Sequence, residues 1–97
     1  MYGTVARMKL KPGMEGRMME FGRATAGRKI PGFIESYMYK MDNEPNVYYM
    51  AVVFESKEAY RANAESPDQD AEFHKMMEML DGEPEWHDGE ITAMSKM

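Results

Sequence analysis

The chain has 97 residues, a formal net charge of −5 and no cysteine. That length suits one domain over residues 1–97 with a modest core. The absence of cysteine excludes disulfides, thiolate metal sites and a cysteine nucleophile. The acidic charge is spread along the chain and argues against a general nucleic-acid binder, which needs a basic stripe. No stretch has the length and apolarity of a transmembrane helix or a signal-peptide core. The expectation is a cytoplasmic protein with no membrane partner. Thirteen methionines are many for this length. Met is flexible and polarizable, so it suits plain core filling and also a soft pocket wall for a flat apolar ligand.

Thr4–Leu10 alternates, with Thr4, Ala6, Met8 and Leu10 on one face and Val5, Arg7 and Lys9 on the other. This predicts a first strand ended by Pro12-Gly13. Arg7 falls on the face away from the apolar set, as a rim residue paired with a carboxylate. Met14–Lys29 follows a helical period through Met14, Met18, Phe21 and Thr25. Arg28 and Lys29 would lie in its last turn, as the helix dipole prefers. Gly16, Gly22 and Gly27 weaken it, unless they allow close packing on a sheet.

Phe33–Asp42 reads as a second strand, with Phe33, Glu35, Tyr37, Tyr39 and Met41 on one face. Asp42–Asn46 is turn chemistry, so a hairpin leads into Val47–Phe54. That run has no polar break. Val47, Tyr49, Ala51 and Val53 share one face, and Tyr48, Met50, Val52 and Phe54 the other. Both faces ask to be dry, as in a central strand. The predicted helices of this short chain can cover one face. A second copy of the chain is the simplest cover for the other.

Ser56 starts a helix that breaks near Ser66-Pro67. Ser66, Pro67 and Gln69 then form a start signal resembling a capping box. The second helical piece presents Phe73, Met76, Met77 and Leu80 on one face. Glu85–Met94 is the last strand, with Gly89 as a bulge or a point of close approach. The order β-α-β-β-α-β predicts a ferredoxin-like α+β fold. Its four-stranded antiparallel sheet carries its helices on one face, with the first and third strands central.

Three segments carry a family resemblance. Pro31-Gly32-Phe33 opens the second strand. Val53 to Tyr60, VFESKEAY, resembles a family strand-to-helix junction, with Phe54 in place of the usual tryptophan. Ser66-Pro67 precedes a helix that contains Phe73-His74. The chain resembles the antibiotic biosynthesis monooxygenase family of the dimeric α/β-barrel superfamily, over nearly its whole length. The resemblance implies a homodimer and a pocket in each subunit between sheet and helices. It implies, for some relatives, oxygenation of polycyclic phenols or quinols without metal or organic cofactor. Others cleave haem, using a strand asparagine, a helix tryptophan and a histidine ligand. Those positions fall on Ala6, Asn63 and Glu72 here, and all three depart from that pattern.

Among residues able to carry chemistry, His74 stands out, with Asp70 and Glu78 four residues either side. It would move protons, or it is an exposed histidine in weak ion pairs, and the second reading carries more weight. His87, beside Trp86 on the last strand, reads as structural. Tyr37, Tyr39, Tyr48 and Tyr49 offer an aromatic surface that would stack on and hydrogen-bond an aromatic ligand, or fill a dimer core. Asn63 would donate to a substrate oxygen, or is a polar residue near a helix break. With Trp86, the residues Tyr37, Tyr39, Tyr49 and Asn63 form the expected substrate wall. No His/carboxylate spacing diagnoses a metal, and Asp68, Asp70 and Glu72 read as a helix N-terminal charge bias. The leading expectation is a cofactor-independent monooxygenase for an aromatic phenol or quinol. The alternative is a non-catalytic, ligand-binding or stress-related dimer on the same scaffold, with haem binding behind both.

Overall fold

The computed structural model describes residues 1–96. The chain runs β1 (Tyr2–Lys9), α1 (Glu15–Ala26), β2 (Phe33–Lys40), β3 (Val47–Phe54), α2 (Lys57–Ala64), α3 (Pro67–Met77) and β4 (Glu85–Glu90). The strands form one antiparallel sheet in the order β2-β3-β1-β4. The fold is ferredoxin-like, and β1 and β3 are the central strands, as the order of elements predicts and as the unbroken apolar run of β3 requires.

Alternation sorts the side chains of the sheet. On β1, Thr4, Ala6, Met8 and the following Leu10 are buried towards the helices. Directly opposite them on β3 stand Val52, Met50 and Tyr48, and residues paired across strands share a face. Met8 and Tyr48 join Met18 of α1, Met76 of α3, and Leu10, Met79 and Leu80 in one core cluster. The Leu10–Leu80 bridge fixes the chain after α3 against the end of β1. The bonds Lys11 N–H to Met79 O and Asp81 N–H to Lys9 O reinforce it.

Local chemistry explains the helix starts. The Ser56 hydroxyl accepts the Ala59 N–H at 3.1 Å, and the Ser66 hydroxyl accepts the Gln69 N–H at 3.2 Å. Each cap contributes about 1 kcal/mol. The Gln69 side chain does not close the box. It accepts instead from Asn63 Nδ2 and Arg28.

Several expectations need correction. Helix α1 ends at Ala26 with Gly27 as its cap, so Arg28 and Lys29 lie outside it. Arg28 crosses to Glu72 on α3, and that partner outweighs a place in the helix's last turn. The α1 glycines do not mediate close packing, since a Cβ at Gly16, Gly22 or Gly27 would meet nothing within 4 Å. Gly89 is neither a bulge nor a close approach. The β1–β4 register runs through it unbroken, and β4 stops at Glu90 rather than Met94. Close approach occurs at Gly3, where a Cβ would run into the Val52 carbonyl. It also occurs at Gly32, whose φ of +78° and contact with Ala59 both demand glycine. The bulge falls between Phe33 and Glu35. It turns Phe33 away from the Tyr37–Tyr39 face and sets it edge-on to Phe54, at 5.6 Å between rings.

Among the described residues of the single chain, nothing covers the far face of the sheet. Val5, Tyr37 and Tyr39 are each about half exposed there, beside Ala51 and Tyr49 of β3. Arg7 lies at its rim, bonded to Glu44 at 3.0 Å. No helix among the described residues is long and apolar enough to cross a membrane.

Candidate functional site

The helix-covered face is filled at only one end. Towards the other end a cavity of about 670 Å³ opens between the sheet, α1 and α3. The α1 sequence accounts for it. Met18 and Phe21 reach into the core, but the next turn offers Gly22, Thr25 and Ala26, which leave the space beneath them unfilled. Thr25 also turns its hydroxyl back to the Phe21 carbonyl at 3.0 Å. Below, the sheet contributes Met38, Met50 and Val52, and α3 closes one side with Phe73 and Met76. Trp86 of β4 packs against Phe73, 6.2 Å between rings.

Two polar groups interrupt these apolar walls. One gathers Arg28, Asn63, Gln69 and Glu72. Asn63 Nδ2 and Arg28 both donate to Gln69 Oε1 at 3.4 Å, which are long bonds. Arg28 Nε lies 3.2 Å from Glu72 Oε1. Its N–H is not aimed along that line, so the pair is ionic contact and Nε stays without a hydrogen bond.

The second group is Thr4, Tyr60 and Asp88. Thr4 and Asp88 are directly opposed across β1 and β4, on the helix side. Tyr60 comes over from α2 and donates to Asp88 Oδ1 at 2.9 Å. Its ring stacks on Phe54 at 5.6 Å and tilts against Tyr2 at 5.3 Å. Partial burial, then the bond to the Asp88 carboxylate, push the Tyr60 phenol up to about 12, with the nearby Thr4 hydroxyl pulling it slightly back. Thr4 itself is 6% exposed. Although Tyr60 is close, the Thr4 hydroxyl makes no hydrogen bond of acceptable geometry among the described residues.

The residues singled out from sequence divide. Asn63 and Trp86 line the cavity. Tyr39 and Tyr49 lie on the opposite face of the sheet, paired across β2 and β3. Tyr37 touches the cavity rim but sends its hydroxyl to Glu35 at 2.7 Å, and that bond raises its pKa. Tyr48 belongs to the packed core, where burial raises its pKa. His74 projects into solvent, its side chain 71% exposed, with Nδ1–H donating to the Asp70 carbonyl at 2.8 Å. It does not line the cavity. His87 is exposed beside Glu85 at 3.2 Å. Of the positions used by haem-cleaving relatives, Ala6 is buried under the helices and Glu72 is engaged by Arg28.

Thr4, Tyr60, Asp88, Arg28 and Gln69 were not singled out as site residues. One signal was available: Tyr60 precedes Asn63 by three residues and so shares its helix face. The pairing of Thr4 with Asp88 depends on strand register, which a single sequence does not display.

Solved structures share this architecture. A conserved protein from Methanosarcina mazei Go1 aligns with a TM-score of 0.81 at 20% identity, covering 91% of this chain and 89% of that one. A protein of unknown function from Nitrosomonas europaea gives 0.78 at 16% identity, over 99% and 93% of the two chains. SnoaB, a cofactor-independent oxygenase from Streptomyces nogalater, gives 0.78 at 14% identity, over 96% and 94%. At these identities the likeness establishes the fold. No curated protein matches the chain in sequence. The antibiotic biosynthesis monooxygenase family model matches residues 1–78, and the chain belongs to that family.

Proposed function

We propose that this protein is a cofactor-independent monooxygenase that oxygenates an aromatic phenol or quinol inside the cavity. The observation that carries the reading is the cavity itself. Its volume of about 670 Å³ is in the usual range for small-molecule sites, which are mostly apolar with a few placed polar groups. Phe21, Met50, Phe73 and Trp86 make flat and polarizable walls for a fused ring. Family membership supports the reaction class, as does the fold shared with SnoaB, itself described as a cofactor-independent oxygenase.

In this reaction a ring hydroxyl loses its proton and the electron-rich ring reacts with dioxygen. A ring C–H becomes C=O, one oxygen atom stays on the ring, and the other leaves as water. The four electrons come from the substrate. The protein's part is to exclude water, hold the ring, take the hydroxyl proton and stabilise negative charge on oxygen. Asp70, Glu72 and Asp88 are the carboxylates in the cavity wall.

The proposed partner is a second copy of the chain. The uncovered face with Val5, Tyr37 and Tyr39 would then become a dimer core, giving Tyr39 and Tyr49 an interface role rather than a substrate role. A sedimentation mass of one chain at micromolar concentration would remove that part of the reading.

The test of activity is oxygen uptake with fused-ring phenols and quinols, with absorbance on haem addition followed separately. Protein-dependent oxygen consumption with one of them is expected. His74→Ala is expected to retain full turnover, because the ring faces solvent away from the cavity. Binding of these compounds without oxygen consumption would replace the enzyme with a binding protein. A Soret shift would favour haem.

A further inference from the structure

We propose that Met38 and Met50 are an oxidation site in the cavity wall, and that converting their thioethers to sulfoxides lowers the protein's affinity for its aromatic ligand. The inference deepens the proposed function and rests on an arene occupying the cavity.

Placement supplies the first argument. Met38 on β2 and Met50 on β3 are directly opposite one another, and both line the cavity. Residues paired across strands share a face, so the two side chains stand side by side on the cavity floor. Met38 is 44% exposed on an edge strand, and Met50 is half-buried. A small oxidant therefore reaches both without unfolding the chain. Met18 of α1 and Met76 of α3 also line the cavity, but at 6% and 8% exposed they are shielded.

Residue type supplies the second. Strands favour β-branched and aromatic side chains, and an aliphatic one would make the wall just as apolar. Met fills irregular gaps in packed cores, and a half-exposed position beside a cavity is not such a gap. What the thioether adds is reactivity.

The oxidant is hydrogen peroxide. The thioether sulfur gives an electron pair to one peroxide oxygen, the O–O bond breaks, an S=O bond forms and water leaves. The proposed reaction supplies the oxidant by a side path. A quinol that passes two electrons and two protons to dioxygen yields a quinone and hydrogen peroxide, with no oxygen added to the ring. The sulfoxide oxygen is polar and hydrated. Covering it with an arene face strips that water without a replacement bond, so the oxidised wall holds the ring less well.

The experiment treats the protein with hydrogen peroxide and locates sulfoxides by peptide mass spectrometry. Calorimetry then measures the affinities for naphthalene and 1-naphthol. The proteins are the natural chain and the double variant Met38→Leu with Met50→Leu, each compared with itself before treatment. Leucine for methionine conserves volume, so the variant is expected to fold. Met38 and Met50 should oxidise well before Met8 and Met79 of the packed core, which are 1% and 3% exposed. Saturating 1-naphthol should slow oxidation at Met38 and Met50 and leave Met19 unchanged, since Met19 is 59% exposed and outside the cavity. Treatment should weaken naphthalene binding roughly tenfold in the natural chain and leave the double variant's affinity where it was. Methionine sulfoxide reductase should restore the natural chain. An unchanged affinity with sulfoxide present at Met38 and Met50 would overturn the site while leaving the cavity reading intact. So would an equal loss in the double variant, or oxidation at Met38 and Met50 as slow as at Met8. Failure of both arenes to bind the untreated natural chain would overturn the cavity reading together with the site.

Discussion

The two ends of the helix-covered sheet face are built from the same strands and differ in almost everything else. At one end Met8, Leu10, Tyr48, Met18 and Leu80 interlock, and Met8 and Leu10 are each only 1% exposed. At the other, the same strands present Thr4 and Val52 to a cavity, beneath the Gly22–Ala26 turn of α1. The packed end removes apolar area from water and so carries the stability. The hollow end leaves wall atoms without neighbours and keeps a buried hydroxyl unpartnered, both of which cost stability. A small fold that keeps such a region gains something other than stability from it. Binding sites are drawn from that end of the distribution.

The sharpest way to break the comparison is to make one chemical change at both ends. Met8→Ala should cost about 2–5 kcal/mol, since a fully buried side chain leaves a cavity behind. Met38→Ala alters the same sheet face but at the hollow end, where Met38 is 44% exposed and lines the cavity. Its expected cost is about 1 kcal/mol or less. Urea unfolding of both variants checks this, and equal losses would mean that the cavity collapses in solution.

A smaller effect compares two glycines on one helix. Gly16 and Gly22 both lie within α1, and a Cβ at either would meet nothing. Glycine to alanine should stabilise by about 1 kcal/mol at Gly22, in the helix interior, and by less at Gly16, in the first turn. Only Gly22 lines the cavity. Gly22→Ala is therefore expected to weaken naphthol binding, and Gly16→Ala to leave it unchanged. Matching affinities for the two variants would place the ligand elsewhere.

Much of the packed end was legible in the sequence, because burial imposes a period. The alternation Thr4-Ala6-Met8-Leu10, the helical spacing of Met18 and Phe21, and the unbroken Val47–Phe54 each state which side is dry. The strand order comes instead from the β-α-β-β-α-β succession of elements. The hollow end was less legible, for a physical reason. A cavity is made by what is small or turned away, as at Gly22 and Ala26, and no pattern of large residues announces it. Its polar groups come from distant parts of the chain: Thr4 meets Asp88 only through β1–β4 register, and Tyr60 joins them from α2. Tyr37 and Tyr39 were conspicuous as aromatic residues. Whether a strand tyrosine faces the helices or the bare side depends on parity counted from a fixed point, and the bulge after Phe33 resets that count. His74 was conspicuous by residue type alone, and exposure on α3 puts it outside the cavity.

The last and smallest effect tests whether the Tyr60–Asp88 contact persists in solution. The Tyr60 phenol is raised from about 10 in an unfolded chain to about 12 in the fold, chiefly by burial and then by Asp88. Its protonated form is thus favoured by folding. The stability linked to it is fully present below pH 10 and is lost as pH rises towards 12. Tyr37 and Tyr48 are also raised, so the whole protein should lose stability over the alkaline range. The diagnostic quantity is the difference made by Tyr60→Phe, which should flatten part of that decline while leaving the profile between pH 6 and pH 9 parallel to the natural chain's. Solvent screening at a half-buried phenol keeps the difference modest. Urea midpoints taken at intervals from pH 6 to pH 12 would resolve it. Parallel curves throughout would mean that Tyr60 ionises as it does in the unfolded chain. The phenol would then not be held against Asp88, and one of the two polar groups in the cavity wall would lack its fixed arrangement.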